Sequence, residues 1–197
     1  ILEAWYPGES GGQAIAETVS GKNNPGGRLP ITFYSSVNQL PPFDDYSMKG
    51  RTYRFFGGHP LFGFGTGLSY TEFAYSSLHI SSREIRAGDT LTVEADVQNV
   101  GPVRGDEVVE LYLKPPTGVE RGAVSLRGFT RVSLDPAANR HIRFELSEDG
   151  LSEVREDGLR AVLPGSYEIS IGGSQPVPGS NNLTAEFTIS GLKSLGR

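Results

Sequence analysis

The chain has 197 residues, carries a net charge of −5 and contains no cysteine. Without cysteine it forms neither a disulfide scaffold nor a thiolate metal site, and without a basic tract it is poorly suited to bind nucleic acid. No apolar run reaches about 18 residues, so the sequence predicts no membrane span. We expect one or two domains, built from short strands and turns because glycine and proline are frequent while charge is moderate.

The first 33 residues predict one β-α-β unit. Residues 1–6 and 29–33 are short apolar runs, which are typical of strands buried on both faces. Between them Ser10 and Gln13 match a capping box, apolar positions recur at helical spacing, and Gly21 suits the left-handed position after a helix. One such unit buries too little surface to fold alone. We therefore expect the end of a larger α/β domain, and we expect that residue 1, an isoleucine, is not the natural start.

The loop of residues 8–12 lies between the predicted strand and helix, where ligands bind in open α/β sheets. Its spacing matches neither a dinucleotide-binding nor a phosphate-binding loop, which favours a tight turn with a helix cap. The functional alternative is a loop at the edge of a ligand pocket. In that alternative Trp5, Tyr6 or Glu9 faces the substrate.

An aromatic-rich connector occupies residues 34–74. Its rings are too frequent for a solvated linker, and its glycines and prolines are too frequent for a regular element. The favoured interpretation is interdomain packing, because such a segment presses rings into neighbouring domains while its arginines pair with carboxylates. The alternative is a sugar subsite, in which Lys49 joins the same side chains. The packing residues are Tyr46, Arg51, Tyr53, Arg54, Phe55 and Phe56.

From residue 75 the hydrophobic period changes to two, as residues 91–97 illustrate best. Seven short alternating strands predict an immunoglobulin-like or fibronectin type III-like sandwich at residues 75–191, followed by a tail at 192–197. The predicted fold class is mostly β: a seven-stranded sandwich preceded by a β-α-β remnant of an α/β domain and the long connector.

No group of residues predicts a metal or cofactor site. The three histidines are scattered along the sequence without metal-ligand spacing. An acidic cluster lacks the calcium-loop pattern, so we expect a solvated acidic loop; its members are Glu148, Asp149, Glu153, Glu156 and Asp157. Arg104-Gly105-Asp106 spells an adhesion tripeptide, but Gly-Asp is ordinary turn chemistry where it stands.

Motifs along nearly the whole chain resemble the C-terminal portion of a family 3 glycoside hydrolase. NPGGRLPITF at 24–33, together with the motifs before it, looks like the end of that family's α/β sandwich domain. PLFGFGTGLSYT at 60–71 looks like its signature before a fibronectin type III-like domain, and residues 107–113 and 126–132 resemble strands of that domain. Residues 45–54 look most like β-xylosidases or related β-glucosidases.

The resemblance implies retaining hydrolysis of terminal β-linked xylose or glucose from oligosaccharides. One carboxylate attacks the anomeric carbon and a second protonates the leaving oxygen. In that family the nucleophilic Asp belongs to an N-terminal (β/α)8 barrel, and the acid/base Glu lies upstream of the motif that opens this chain. We therefore assign no catalytic residue, no cofactor and no metal ligand, and we expect the chain alone to be inactive.

The implied partners are the missing barrel and the rest of the α/β domain, with an oligosaccharide as the substrate of the whole enzyme and with neither nucleic acid nor membrane. A periplasmic or extracellular location is favoured over a cytoplasmic one. Two alternatives stay open: a non-catalytic carbohydrate-binding or cell-surface module, and an inactive remnant of a split gene.

Overall fold

The computed structural model describes residues 1–116, 124–155, 157–177 and 179–196. The helices are α1 (Gly11–Val19), α2 (Thr52–Phe55) and α3 (Glu148–Leu151), with one 3-10 turn at Val37–Gln39. The strands are β1 (Phe73–Ile80), β2 (Glu84–Arg86), β3 (Leu91–Asn99), β4 (Gly105–Lys114), β5 (Ser125–Leu134), β6 (Asn139–Leu146), β7 (Glu153–Val154), β8 (Arg160–Val162), β9 (Gly165–Gly172), β10 (Leu183–Ser190) and β11 (Lys193–Gly196).

Two sheets form the predicted sandwich. One has the order β1-β3-β6 and the other β2-β10-β9-β4-β5, while β11, β8 and β7 make a small third sheet. Alternate side chains of the two large sheets point between them, so that Val93, Val97, Leu111 and Ile169 are fully buried in one core. The mostly β fold class is confirmed, with the seven predicted strands found as β1, β3, β4, β5, β6, β9 and β10.

Four short strands lie outside the sequence prediction, and one of them changes the picture of the C-terminus. Residues 193–196, which the sequence assigns to a tail, form β11 and pair with β8 in antiparallel register. β2 adds to the edge of the larger sheet by parallel pairing with β10. These pieces cover the ends of the sandwich rather than extending its core.

Helix α1 forms as predicted, but its expected surroundings do not. Gly21 adopts the left-handed conformation with φ +78°. The capping box is not formed: the Ser10 backbone is not extended, so its hydroxyl cannot reach the helix N–H groups, and the Gln13 amide donates to Glu17 instead. Among the described residues, segment 1–6 forms no regular strand, because no neighbouring strand accepts and donates its backbone hydrogen bonds.

The second predicted strand of this unit is reduced to a short pairing with the connector. Leu29 exchanges hydrogen bonds with Thr66 and Gly65, and Phe33 exchanges them with Phe62 and its neighbour. Residues 29–33 therefore lie against the connector, which in turn lies on the sandwich. None of the described helices is long and apolar enough to cross a membrane.

Candidate functional site

The residues predicted at a pocket edge lie on the surface. Trp5 is 55% exposed, Tyr6 is completely exposed, and Glu9 is exposed as well. Trp5 has a positive φ of 48°, which few non-glycine residues adopt, and its N–H donates to Glu3 Oε1 at 3.1 Å. The rings are thus presented outward by a local turn. Their contact with a substrate stays a prediction.

An open cavity of about 660 Å³ lies where residues 30–34 meet residues 48–55. Its lining is mainly apolar and aromatic with two arginines: Pro30, Ile31, Thr32, Tyr34, Leu40, Met48, Arg51, Thr52, Tyr53, Arg54, Phe55 and Phe64. Four of the six predicted packing residues line it, whereas Tyr46 and Phe56 do not. The Tyr46 side chain is 89% exposed, so the predicted set divides into residues that pack within this chain and one that does not.

Tyr53 fastens this region to the sandwich. Its ring stacks on Phe64 at 4.5 Å between centroids and meets the edge of Tyr112 at 6.1 Å. Its hydroxyl accepts a hydrogen bond of 3.0 Å from the N–H of Leu126 in β5. A short helix, α2, therefore places one ring against two strands of the larger sheet.

The two arginines of the cavity have partners within this chain. Arg51 donates to the carbonyl oxygens of Pro42 and Asp45, at 3.1 and 2.8 Å, which folds the connector back on itself. Arg54 lies 5.4 Å from the ring centroid of Phe55, and its Nη2 is 3.9 Å from Oε2 of Glu153. These contacts favour packing over a sugar subsite, because rings and cations that hold protein are less free to hold sugar.

Glu153 is a site residue that sequence reasoning missed. It belongs to the cluster predicted to be a solvated acidic loop, but it lies in β7, is 4% exposed, and accepts a hydrogen bond from Arg127. The prediction of solvation is wrong for this residue, because β7 pairs with β8 and carries its side chain inward towards Arg127 and Arg54. Glu156 of the same cluster lies outside the described residues.

A second buried polar group ties the segment before the connector to the sandwich. Arg28 donates to Glu107, and the Tyr75 hydroxyl donates to the other oxygen of Glu107 at 2.6 Å. Tyr112 donates to Glu110, also at 2.6 Å. Burial and the charge of Glu107 raise the pKa of Tyr75, while burial and the hydrogen bond to Glu110 raise that of Tyr112.

The adhesion tripeptide is engaged within the fold. Asp106 lies in β4, opposite Ser133 of β5, and accepts hydrogen bonds from the Ser133 hydroxyl and from Arg131. The Ser133 hydrogen bond, followed by Arg131, lowers the pKa of the Asp106 carboxyl. A carboxylate with these partners is poorly placed for an adhesion receptor, as turn chemistry predicts.

Two of the scattered histidines come together across the smaller large sheet. His141 Nδ1 lies 2.9 Å from Asp96 Oδ1, and the rings of His79 and His141 lie on either side of Glu94, at 3.8 and 3.9 Å. The register of β1, β3 and β6 brings them together, which sequence spacing does not reveal. Within the described part of the chain, no group of three or more such side chains is arranged to hold a metal ion.

Comparison with known families matches both parts of the chain. The glycosyl hydrolase family 3 C-terminal domain matches residues 1–70, and a fibronectin type III-like domain matches residues 107–175. The chain is the C-terminal portion of a family 3 glycoside hydrolase. The resemblance seen in the sequence motifs is thereby confirmed.

Known family 3 proteins align with almost the whole chain. A beta-xylosidase of Formosa agariphila is 40% identical, over 88% of this chain and 25% of its own length. A periplasmic beta-glucosidase of Salmonella typhimurium is 33% identical, over 87% of this chain and 24% of its own length. The solved structure of beta-glucosidase 3B from Thermotoga neapolitana has a TM-score of 0.83 at 27% identity, covering 96% of this chain and 28% of that one. The chain thus spans about a quarter of the length of these relatives.

Proposed function

We propose that this chain is the C-terminal structural part of a retaining β-glycosidase that removes terminal β-linked xylose or glucose from oligosaccharides. The observation that carries the proposal is the uncovered apolar surface of residues 1–70. Most of the exposed large apolar side chains described in the chain lie there, including Trp5, Tyr6, Val19 and Phe43. A surface of this kind is the mark of an interface with another part of a protein.

Helix α1 illustrates what is uncovered. Of its nine residues only Gly11 and Thr18 are buried, while Ile15 and Val19 of its predicted apolar face are exposed. An amphipathic helix gains most of its stability by packing that face. The proposed partner is the upstream part of the enzyme, namely a (β/α)8 barrel that carries the nucleophilic Asp and the remainder of the α/β domain with the acid/base Glu.

The proposed division of the chain follows from this role. Residues 1–33 complete the α/β domain, residues 34–74 connect it, residues 75–191 form the sandwich, and residues 192–197 form the tail that begins β11. In the assembled enzyme, Trp5, Tyr6 and Glu9 edge the substrate pocket. The sandwich acts as a scaffold, and the connector residues Tyr46 to Phe56 pack between the domains.

Hydrolysis of aryl β-xylosides and aryl β-glucosides tests the proposal. The chain by itself should release no aryl alcohol above a buffer control, because retaining hydrolysis needs two facing carboxylates about 5 Å apart and neither is assigned here. Turnover by the purified chain contradicts this. Retention of the chain on insoluble xylan would instead favour a carbohydrate-binding module.

A chimera separates the structural role from inactivity. In the beta-xylosidase of Formosa agariphila, the matching final quarter is replaced by this chain, at 40% identity over 181 residues. We expect the chimera to hydrolyse an aryl β-xyloside, and the truncated enzyme without the replacement to be inactive. Activity of the truncated enzyme equal to that of the parent would contradict a structural role for this portion.

We infer a periplasmic or extracellular location. The support is the periplasmic beta-glucosidase of Salmonella typhimurium among the relatives. Fractionation of the source cells, with an antibody against the sandwich, is the direct measurement. Recovery in the cytoplasmic fraction alone would refute the inference.

A further inference from the structure

Two carboxylates and one cation are buried where the connector crosses the sandwich. The carboxylates are Glu107 and Glu110 of β4, each 4% exposed, and the cation is Arg28. Glu107 is fully engaged, because Arg28 and the Tyr75 hydroxyl donate to its two oxygens. Arg28 and Glu107 therefore form a neutral pair, and the second carboxylate has no cation of its own in this cluster.

The connector lies directly on Glu110. Gly65 has φ +78°, and a Cβ at this position would be 2.5 Å from Glu110 Oε2 and 3.0 Å from Oε1, so backbone covers the carboxyl group. The covering N–H groups are used elsewhere: Gly65 donates to Leu29, and Phe64 donates to the Gln175 side chain. Only Tyr112 shares a hydrogen bond with Glu110 among the contacts of the described residues.

The charge balance of this enclosed space depends on the proton of Glu110. If both carboxylates were ionised, Arg28 would leave one negative charge uncompensated in a place from which water is excluded, which is costly. Burial raises the pKa of Glu110; Tyr112 and Arg28 oppose the rise and the charge of Glu107 adds to it. The remaining titratable neighbours are the phenols of Tyr75 and Tyr53, since residues 61–67 and 173–175 contain no titratable side chain.

We propose that Glu110 is a proton-controlled latch between the connector and the sandwich: the docked connector encloses the neutral carboxyl group, and ionisation of that group releases residues 61–67. The hydrogen bond with Tyr112 persists in both forms, because either hydroxyl-bearing group can donate. Release would also disturb the cavity described above, since Phe64 lines it and stacks on Tyr53.

The sign of the pH dependence follows from linkage. Docking raises the pKa of Glu110, so docking is at full strength below the ordinary carboxyl pKa of about 4.3. It weakens as the pH rises above that value, because the released state gives up a proton that the docked state keeps. The loss stops once the pH exceeds the pKa of the docked state.

Amide hydrogen exchange of the whole chain, followed by mass spectrometry between pH 5 and pH 8.5, tests the latch. Protection factors, corrected for intrinsic exchange, should fall in residues 61–67 by up to about tenfold per pH unit. Protection in β3 should stay constant. A constant protection of residues 61–67 over the whole range would overturn the proposal.

Two variants and one spectroscopic measurement complete the test. Glu110→Gln keeps the shape without the charge and should abolish the pH-dependent loss, whereas Glu168→Gln removes one carboxylate from the partly exposed side of β9 and should retain it. An equal pH-dependent loss in Glu110→Gln refutes the latch. If that variant does not fold, the carboxyl carbon of Glu110 in the unaltered chain is titrated by NMR, and an ordinary pKa refutes it equally.

Discussion

Removal of the Tyr53 side chain measures how firmly the connector is held on the sandwich. The ring of Tyr53 stacks on Phe64 and meets the edge of Tyr112, and its hydroxyl accepts from the N–H of Leu126 at 3.0 Å. Tyr53→Ala removes all three contacts at once. We expect the free energy of unfolding to decrease.

The magnitude follows from the contacts. Each aromatic pair contributes about 0.5–1.5 kcal/mol beyond its area, so two pairs contribute about 1–3 kcal/mol. An unpaired Leu126 N–H costs about 1 kcal/mol, the low end of the range, because the position is only partly buried and water can reach it. The sum for Tyr53→Ala is about 2–4 kcal/mol. Tyr53→Phe keeps the ring and should cost about 1 kcal/mol.

The assay is urea unfolding followed by near-ultraviolet circular dichroism, which reports the packing of aromatic rings. Tyr46→Ala is the matched control, since Tyr46 is 89% exposed, and it should change the free energy of unfolding by less than about 0.5 kcal/mol. A double-mutant cycle with Phe64→Ala should give a coupling of about 0.5–1.5 kcal/mol. A loss below about 0.5 kcal/mol for Tyr53→Ala would refute the idea that this ring anchors the connector.

Two further substitutions test other parts of the same structure by scanning calorimetry. Gly65→Ala should cost more than about 2 kcal/mol, because the position has φ +78° and the new methyl group would meet Glu110, whereas Gly57→Ala meets nothing within 4 Å and should be nearly neutral. Asn99→Ala should cost about 3–5 kcal/mol, since this buried amide makes four hydrogen bonds, including one of 2.6 Å from Thr71. Equal melting temperatures within either comparison would contradict the reasoning.

The sandwich was predictable because its signal is local. Each long strand alternates apolar and polar residues, and β3 shows why: its apolar side chains Leu91, Val93 and Val97 are completely buried. β7 and β8 have two and three residues, too few to show a period. Segment 1–6 carries the apolar run of a strand, but its pairing depends on residues that this chain does not supply.

The candidate site was predictable in composition but not in detail. The wealth of rings in the connector indicates packing, yet nothing in the sequence says that Tyr53 is held and Tyr46 is exposed. Glu110 shows the same limit. On β4 it belongs to the polar face of the alternation, and it is buried because the connector covers that outer face. Periodicity describes one strand and its own sheet, so it is blind to a segment that crosses the sheet from outside.

The sandwich has a direct physical means of fixing the end of the α/β domain. The side chain of Asn24 donates to the carbonyl of Arg104 in the sandwich and accepts from Ser69 and from the N–H of Tyr70 in the connector. The Tyr70 hydroxyl then donates to the carbonyl of Thr18 at the end of helix α1. Because these bonds join three segments far apart in sequence, the position of α1 is set by the sandwich as well as by its own domain. A scaffold role of this kind needs no catalytic residue, since holding a helix in place is enough to position what packs on it.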